Sequence, residues 1–292
     1  MLNFQPAGFT QKALALDLGI MAYYTQCDVN RPGGNPVVFL HSLGGGSSAF
    51  EWSKVYGLLG DTYPVIAPDL IGWGQSTHPV RAYSVEDYFE MISQLLEALT
   101  QPPTTVVATS LTAGVVIRLA CQRPDLFKRL FLVSPSGNSD FGRDFRISLP
   151  ALLASTPGID RLLYQLGAAN ELAVRFFLAN FLFADPSRIT PDMVQAYLAG
   201  TQQPNAEYTA LASLNGAISF DLARYIGQLT TPTTVVLGEK SRFTPVAVAQ
   251  RLASLNPEAV KTVHTVPDSG VLPHLEYPAV VADLLRSVLV EG

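Results

Sequence analysis

Ser110 is the residue of this chain best placed to do chemistry. Thr104 to Val107 is a short β-branched run that reads as a buried strand, and Ala108-Thr109-Ser110-Leu111-Thr112-Ala113-Gly114 is built almost wholly of small residues. Val115, Val116, Leu119 and Ala120 then supply an apolar helical face. A strand, a tight turn with a serine at its tip and a helix make a nucleophile elbow, usually spelled G-x-S-x-G because the strained turn has no room for large side chains. Here Ala108 and Thr112 stand at the glycine positions. A serine hydroxyl attacks only when a base takes its proton, and the chain has four histidines: His41, His78, His264 and His274. His41 follows a strand and is expected in a structural hydrogen-bonding role. His78 lies on a loop after Trp73 and is expected exposed. His264 alternates between Val263 and Thr265 within a strand, a satisfied structural position. His274 is either a structural histidine or a substitute base.

Strands alternating with helices at short intervals would position these residues. Ala13 to Gln26 suits an opening antiparallel hairpin, and Arg31 to Pro36 a turn. Val37-Val38-Phe39-Leu40 is a buried strand running into His41-Ser42-Leu43-Gly44-Gly45-Gly46. Ser48 with Glu51 three residues on has capping-box spacing, predicting a helix that turns Phe50, Trp52 and Leu58 inward. Tyr63 to Ala67 is the next strand. Ser84 caps a long helix carrying Val85, Phe89, Ile92, Leu95, Leu96 and Leu99 at helical spacing. Arg129 to Val133 is a strand after the elbow unit. From about Asn138 to Leu229 no strand-like run stands out and helices are expected, with Thr190 as a cap and Pro191 in the first turn. Alternation resumes with strands at Thr233 to Leu237 and Lys261 to Val266, and helices from about Pro245 and Pro278. The pattern predicts a mostly parallel sheet covered on both faces, split by a helical insertion.

Composition narrows the function classes. Apolar residues make up 48% and charged residues 15%, so 292 residues can bury a large core. A net charge of −5 argues against nucleic acid or an anionic membrane as partner. Cys27 and Cys121 give neither a disulfide framework nor metal spacing, and Cys121 is expected as a core thiol. No apolar run approaches the roughly 18 residues of a membrane span, and no leader pattern opens the chain, so a cytoplasmic protein is expected. Gly44-Gly45-Gly46 lacks the Gly-Lys-Ser/Thr that would make it a phosphate loop. No cofactor or metal is implied.

Five motifs in order carry a resemblance: His41-Ser42-Leu43-Gly44-Gly45, Pro68-Asp69-Leu70-Ile71-Gly72-Trp73-Gly74-Gln75-Ser76, the elbow, Gly238-Glu239-Lys240-Ser241-Arg242-Phe243-Thr244-Pro245, and Asp268-Ser269-Gly270-Val271-Leu272-Pro273-His274-Leu275-Glu276. Over nearly its whole length the chain resembles the α/β-hydrolase superfamily, in its cap-bearing esterase, lipase and carbon–carbon hydrolase branch. The resemblance implies an α/β fold with a mostly parallel central sheet, helices on both faces and an inserted helical cap. Residues 1–137 and 230–292 would form the core and residues 138–229 the cap. It also implies Ser110 as nucleophile and the N–H groups of Leu43 and Leu111 as the oxyanion hole. The family's acid position is occupied here by Ser241 and its base position by Val271. Valine cannot take a proton, and a neutral hydroxyl cannot stabilise an imidazolium as a carboxylate would. His274 lies three residues on, roughly one helical turn or about 5 Å, whereas proton transfer needs about 2.6–3.2 Å. Glu239, Asp140 and Asp268 are substitute acids with no histidine to orient. Ser110-Leu111-Thr112-Ala113 is also similar to receptor-like members of the superfamily; alternatively Thr112 simply fits the elbow.

Two readings follow. In the first, the chain is a catalytically degenerate hydrolase homologue whose cap and oxyanion pocket bind a small apolar or carbonyl ligand, or a partner protein. In the second, it is an active hydrolase acting on a small ester or ketone through Ser110 with His274 recruited. The apolar stretch from about Leu149 to Phe183 is expected to line the pocket, to form the cap's own core, or to make a homodimer face.

Overall fold

The computed structural model describes residues 4–26, 34–142 and 169–290. Cys27 and the first part of the apolar cap stretch, from Leu149, lie outside the described residues.

An eight-stranded sheet runs in the order β1-β2-β4-β3-β5-β6-β7-β8. β1 (Phe9–Leu16) and β2 (Gly19–Gln26) form the antiparallel hairpin, and β2 pairs antiparallel with β4 (Val65–Pro68). β3 (Val37–Leu40), β5 (Thr104–Thr109), β6 (Phe127–Val133), β7 (Thr233–Gly238) and β8 (Val260–Val266) are parallel neighbours. β3, β4 and β5 are buried at every position, which is why they read as continuous apolar or β-branched runs rather than alternations.

Each face of the sheet has its own core. On one side α2 (Val85–Leu99), α3 (Ser110–Gln122) and α7 (Val246–Ser254) pack Met91, Ile92, Leu95, Val115, Leu119 and Leu252 against Val38, Leu40, Val106 and Leu132. On the other, α1 (Ser53–Leu59) and α9 (Pro278–Val290) bury Trp52, Val55, Tyr56, Val281 and Leu285 against Phe39, Val107 and Phe131. α2 starts at a true capping box: Ser84 Oγ accepts from the Asp87 N–H while Asp87 accepts from the Ser84 N–H.

The segment between β6 and β7 contributes α4 (Glu171–Phe177), which widens into a π turn at Leu178–Leu182, then α5 (Pro191–Thr201) and α6 (Ala206–Leu214). Thr190 caps α5 with Pro191 at its first position, as the residue types require. A third core joins this segment to the 3-10 turn before α1 and the loop after β8: Val174, Leu178, Leu182, Met193 and Tyr197 pack with Phe50, Val271, Leu272 and Leu275.

One local expectation is overturned. Ser48 makes no side-chain cap bond, and Ala49–Trp52 is a 3-10 turn before α1. Glu51 turns instead to Ser42. The tighter turn shifts the helical phase, so Val55, Tyr56 and Leu59 go inward and Leu58 is left 48% exposed.

Candidate functional site

Register sets the site. Leu40 lies opposite Ala108, and Thr109 opposite Val133, so the loops leaving β3, β5 and β6 emerge side by side at the carboxyl ends of the strands. That edge of an open parallel sheet is where ligands bind. Ser110 sits at the β5–α3 junction with φ +55°, a left-handed strain that a non-glycine residue adopts only where its surroundings hold it there. The drifted elbow residues fit. Ala108 is fully buried, and Thr112 Oγ1 donates to the His41 carbonyl at 2.6 Å, tying the elbow to the neighbouring loop.

That loop is held by groups other than the ligand. His41 Nε2 accepts from the Leu70 N–H (3.0 Å), so the proton sits on Nδ1 and is donated to the Ser42 carbonyl at 2.6 Å. Burial lowers the His41 pKa to about 4, against that bond, which keeps the ring neutral. The Ser42 N–H and hydroxyl both donate to Glu51, and the Gly44 N–H donates to Ser47 Oγ. The Leu43 N–H has no partner among the described residues, and the Leu111 N–H, in the first turn of α3, has none either. Two free donors on the loops flanking Ser110 are what an oxyanion would require.

A cavity of about 310 Å³ opens over these groups. Ser42, Leu43, Ser110 and Leu111 line it on one side, Val174, Phe177 and Leu182 come from the segment between β6 and β7, and Val271 and Leu272 from the loop after β8. Asn138, Ser213 and Thr201 add neutral polar groups. No histidine, carboxylate, lysine or arginine is among its described lining residues.

Val271 and Ser241 are held by backbone and side-chain hydrogen bonds. Val271 is 2% exposed, with its N–H bonded to the Leu182 carbonyl and its carbonyl accepting from Ser134 Oγ. Ser241 is buried and accepts from the Thr244 N–H at 3.3 Å, away from the cavity lining. The substitute acids are engaged elsewhere. Asp140 accepts from Ser136 Oγ and the Gly137 and Leu222 N–H groups, Asp268 pairs with Lys240, and Glu239 accepts from the Asp268 N–H.

His274 lies in α8 (Pro273–Glu276), fully buried and stacked on Trp52 with ring centroids 4.0 Å apart at 16°. It does not line the cavity, and neither ring nitrogen has a hydrogen-bond partner. Burial lowers its pKa to about 3. Nor do His264 and His78 line the cavity: His264 is half-buried on β8, and His78 is half-buried rather than exposed, with Nε2 3.2 Å from the Gly74 carbonyl. Cys121 is half-buried on α3, beside rather than within the core.

The His274 environment has a measurable consequence. A histidine held neutral in the folded chain is protonated only on unfolding. Its contribution is complete above its ordinary value near 6.5 and is lost as pH falls from there toward about 3. His274→Phe keeps the stack and removes two unpaired nitrogens. Urea unfolding should show it about 1 kcal/mol more stable at pH 7.5. The gain over wild type should widen by roughly 1.4 kcal/mol per pH unit between pH 6 and 4. A constant or shrinking difference would mean that the ring is charged or partnered.

Among the described residues no group of three or more His, Cys, Asp or Glu side chains could hold a metal, and no helix is long and apolar enough to cross a membrane. Sequence reasoning missed Glu51's partner, Tyr197 and Asn138, whose placement depends on contacts far apart in the chain.

The family model for the α/β-hydrolase fold matches residues 35–278. An uncharacterised protein of Mycobacterium tuberculosis is 40% identical over 119 residues, 40% of this chain and 34% of its own length. The match thus spans about a third of that relative. A 2-hydroxymuconate semialdehyde hydrolase of Pseudomonas sp. is 26% identical over 89% of this chain and 88% of its own. An uncharacterised hydrolase of Bacillus subtilis is 27% identical over 86% and 90%. Among solved structures, a serine hydrolase involved in carbazole degradation superposes with a TM-score of 0.78 at 18% identity, covering 97% of this chain and all of that one. A Bacillus subtilis carboxylesterase gives 0.78 at 16%, covering 99% and 94%. At such identities the likeness is one of fold.

Proposed function

The chain belongs to the α/β-hydrolase fold family, and we propose that it uses the family's acyl pocket to bind a small neutral carbonyl or apolar ligand rather than to turn one over. One observation carries the reading: the cavity over Ser110 has two free N–H donors and, among its described lining residues, no group able to take the serine's proton. A family site without its base keeps roughly 10³–10⁴-fold catalysis over water, against about 10⁶-fold or more for a competent enzyme. The absence of Lys and Arg from that lining favours a neutral ligand over an anion. The relatives' hydrolytic activities therefore transfer as a binding mode, with a carbonyl oxygen set against Leu43 and Leu111.

The competing reading, hydrolysis through Ser110 with His274, requires the ring to leave its stack on Trp52 and enter a cavity that it does not line. A partner protein in place of a small ligand would meet the exposed Leu172, Phe176 and Leu214 of α4 and α6.

Ligand-observed NMR with a neutral aryl ketone, acetophenone, tests the proposal. Wild type should bind it in the micromolar-to-millimolar range, on the order of −4 to −8 kcal/mol. Ala173→Trp, which fills the cavity from α4, should weaken binding at least tenfold. Binding that survives the tryptophan would locate the ketone elsewhere and overturn the proposal.

A further inference from the structure

Glu51 is fully buried, and every donor that reaches it is neutral: the Ser42 N–H at 2.7 Å, the Ser42 hydroxyl at 2.8 Å and the Tyr197 hydroxyl at 2.8 Å. A carboxylate taken out of water without a cationic partner is costly. Burial indeed pushes its pKa up, against the hydrogen bonds from Ser42 and Tyr197. It is not the helix cap its spacing suggested. Its donors come from two separate parts of the molecule, the loop carrying Leu43 and helix α5 of the cap.

We propose that Glu51 is the positioning residue of the oxyanion loop, holding the Leu43 N–H toward the cavity and tying that direction to the cap through Tyr197. The inference rests on the reading of the cavity as a carbonyl-binding pocket. A trans peptide is planar, so the Ser42 carbonyl and the Leu43 N–H point in opposite directions. His41 Nδ1–H holds the carbonyl end of that peptide, and Glu51 holds the residue before it through both of its donors. With both sides fixed, the Leu43 N–H is the donor left over. Ser47 completes the frame, its hydroxyl 2.8 Å from Ser42 Oγ and accepting from the Gly44 N–H.

The link to the cap is close. Gly46 has φ +85°, and a Cβ there would sit 2.4 Å from the Tyr197 carbonyl. A Cβ on Gly200 would sit 2.7 Å from the Gly46 carbonyl. Only glycines at both positions let the loop and α5 meet backbone to backbone, and that approach delivers the Tyr197 hydroxyl to Glu51. A displacement of α5 withdraws one of the three donors from the carboxylate that orients Ser42.

Acetophenone and ethylbenzene differ only in the carbonyl, so the change in each one's Kd separates the oxyanion donors from the apolar walls. Glu51→Met keeps the length of the side chain and removes both oxygens, leaving the Ser42 N–H, which can only donate, without its acceptor. It should raise the Kd of acetophenone about tenfold and leave that of ethylbenzene within twofold. Tyr197→Phe, which keeps Glu51 and the ring volume, should raise the acetophenone value about threefold with ethylbenzene unchanged. In 15N-leucine protein the Leu43 amide resonance should shift in both variants. Equal losses for both compounds would reduce Glu51 to a packing residue and overturn the inference, as would unchanged acetophenone binding in both variants. Wild type binding ethylbenzene but not acetophenone overturns the inference while leaving an apolar pocket. Binding of neither overturns the pocket reading and the inference together.

Discussion

Fluorophosphonate labelling of Ser110 should rise by about 10²–10⁴-fold when Val271→His and Ser241→Asp are installed together, the range a positioned general base supplies. The wild type should label no faster than its Ser110→Ala variant. The reasons lie in the two loops. Val271 already faces the cavity that Ser110 lines, and its backbone is held on both sides, by Leu182 and by Ser134. A histidine there replaces a side chain without moving the chain. An aspartate at position 241 finds the Thr244 N–H that now donates to the serine hydroxyl. Ser241→Asp alone should change nothing, because an acid without an imidazole has nothing to orient. Rapid labelling of wild type, lost in Ser110→Ala, would sink the binding-protein reading and establish a base other than residue 271. Silence in both wild type and the double variant, with acetophenone still bound, would mean that the elbow itself has lost its geometry.

Trp52→Ala should cost about 4 kcal/mol in urea unfolding, at the upper end of what core truncations show. Trp52 is fully buried between Phe39, 5.7 Å away, and His274, 4.0 Å away, and its indole N–H donates to the Leu40 carbonyl at 2.9 Å. Removing it leaves a large cavity, takes the indole donor from the Leu40 carbonyl and strips the imidazole of its stacking surface. Trp52→Phe keeps one aromatic ring but loses the indole N–H and the volume of the fused second ring, so it should cost about 1–3 kcal/mol. The pair also separates two roles for His274. If the histidine is structural, neither variant gains reactivity toward the fluorophosphonate. A rise in Trp52→Ala would show that Trp52 is what keeps His274 from acting as a base. A loss below about 2 kcal/mol would mean that the surrounding core collapses into the space.

The chain's local chemistry determined its elements. Val37–Leu40, Thr104–Thr109 and Thr233–Gly238 are strands because β-branched and apolar runs bounded by turn residues fit a sheet buried on both faces. Ser84 and Thr190 start helices because their side chains reach N–H groups three residues on. The order of these elements was enough for the fold, and the identities of Ser110, Val271 and Ser241 were enough to raise the question of reactivity on which the proposed function turns. The spacing of Ser48 and Glu51 misled because a capping box is only a local option. A carboxylate bonds wherever unpaired donors outnumber acceptors. Here those donors are on Ser42, nine residues back, and Tyr197, 146 residues on. The same holds for His274, whose distance from the cavity follows from its stack on Trp52. The cavity itself draws on residues from Ser42 to Leu272. Periodicity and caps act over a few residues and can be read in order. Burial, ring stacking and the pairing of a buried carboxylate depend on which distant residues the sheet brings together, and only the tertiary structure decides that.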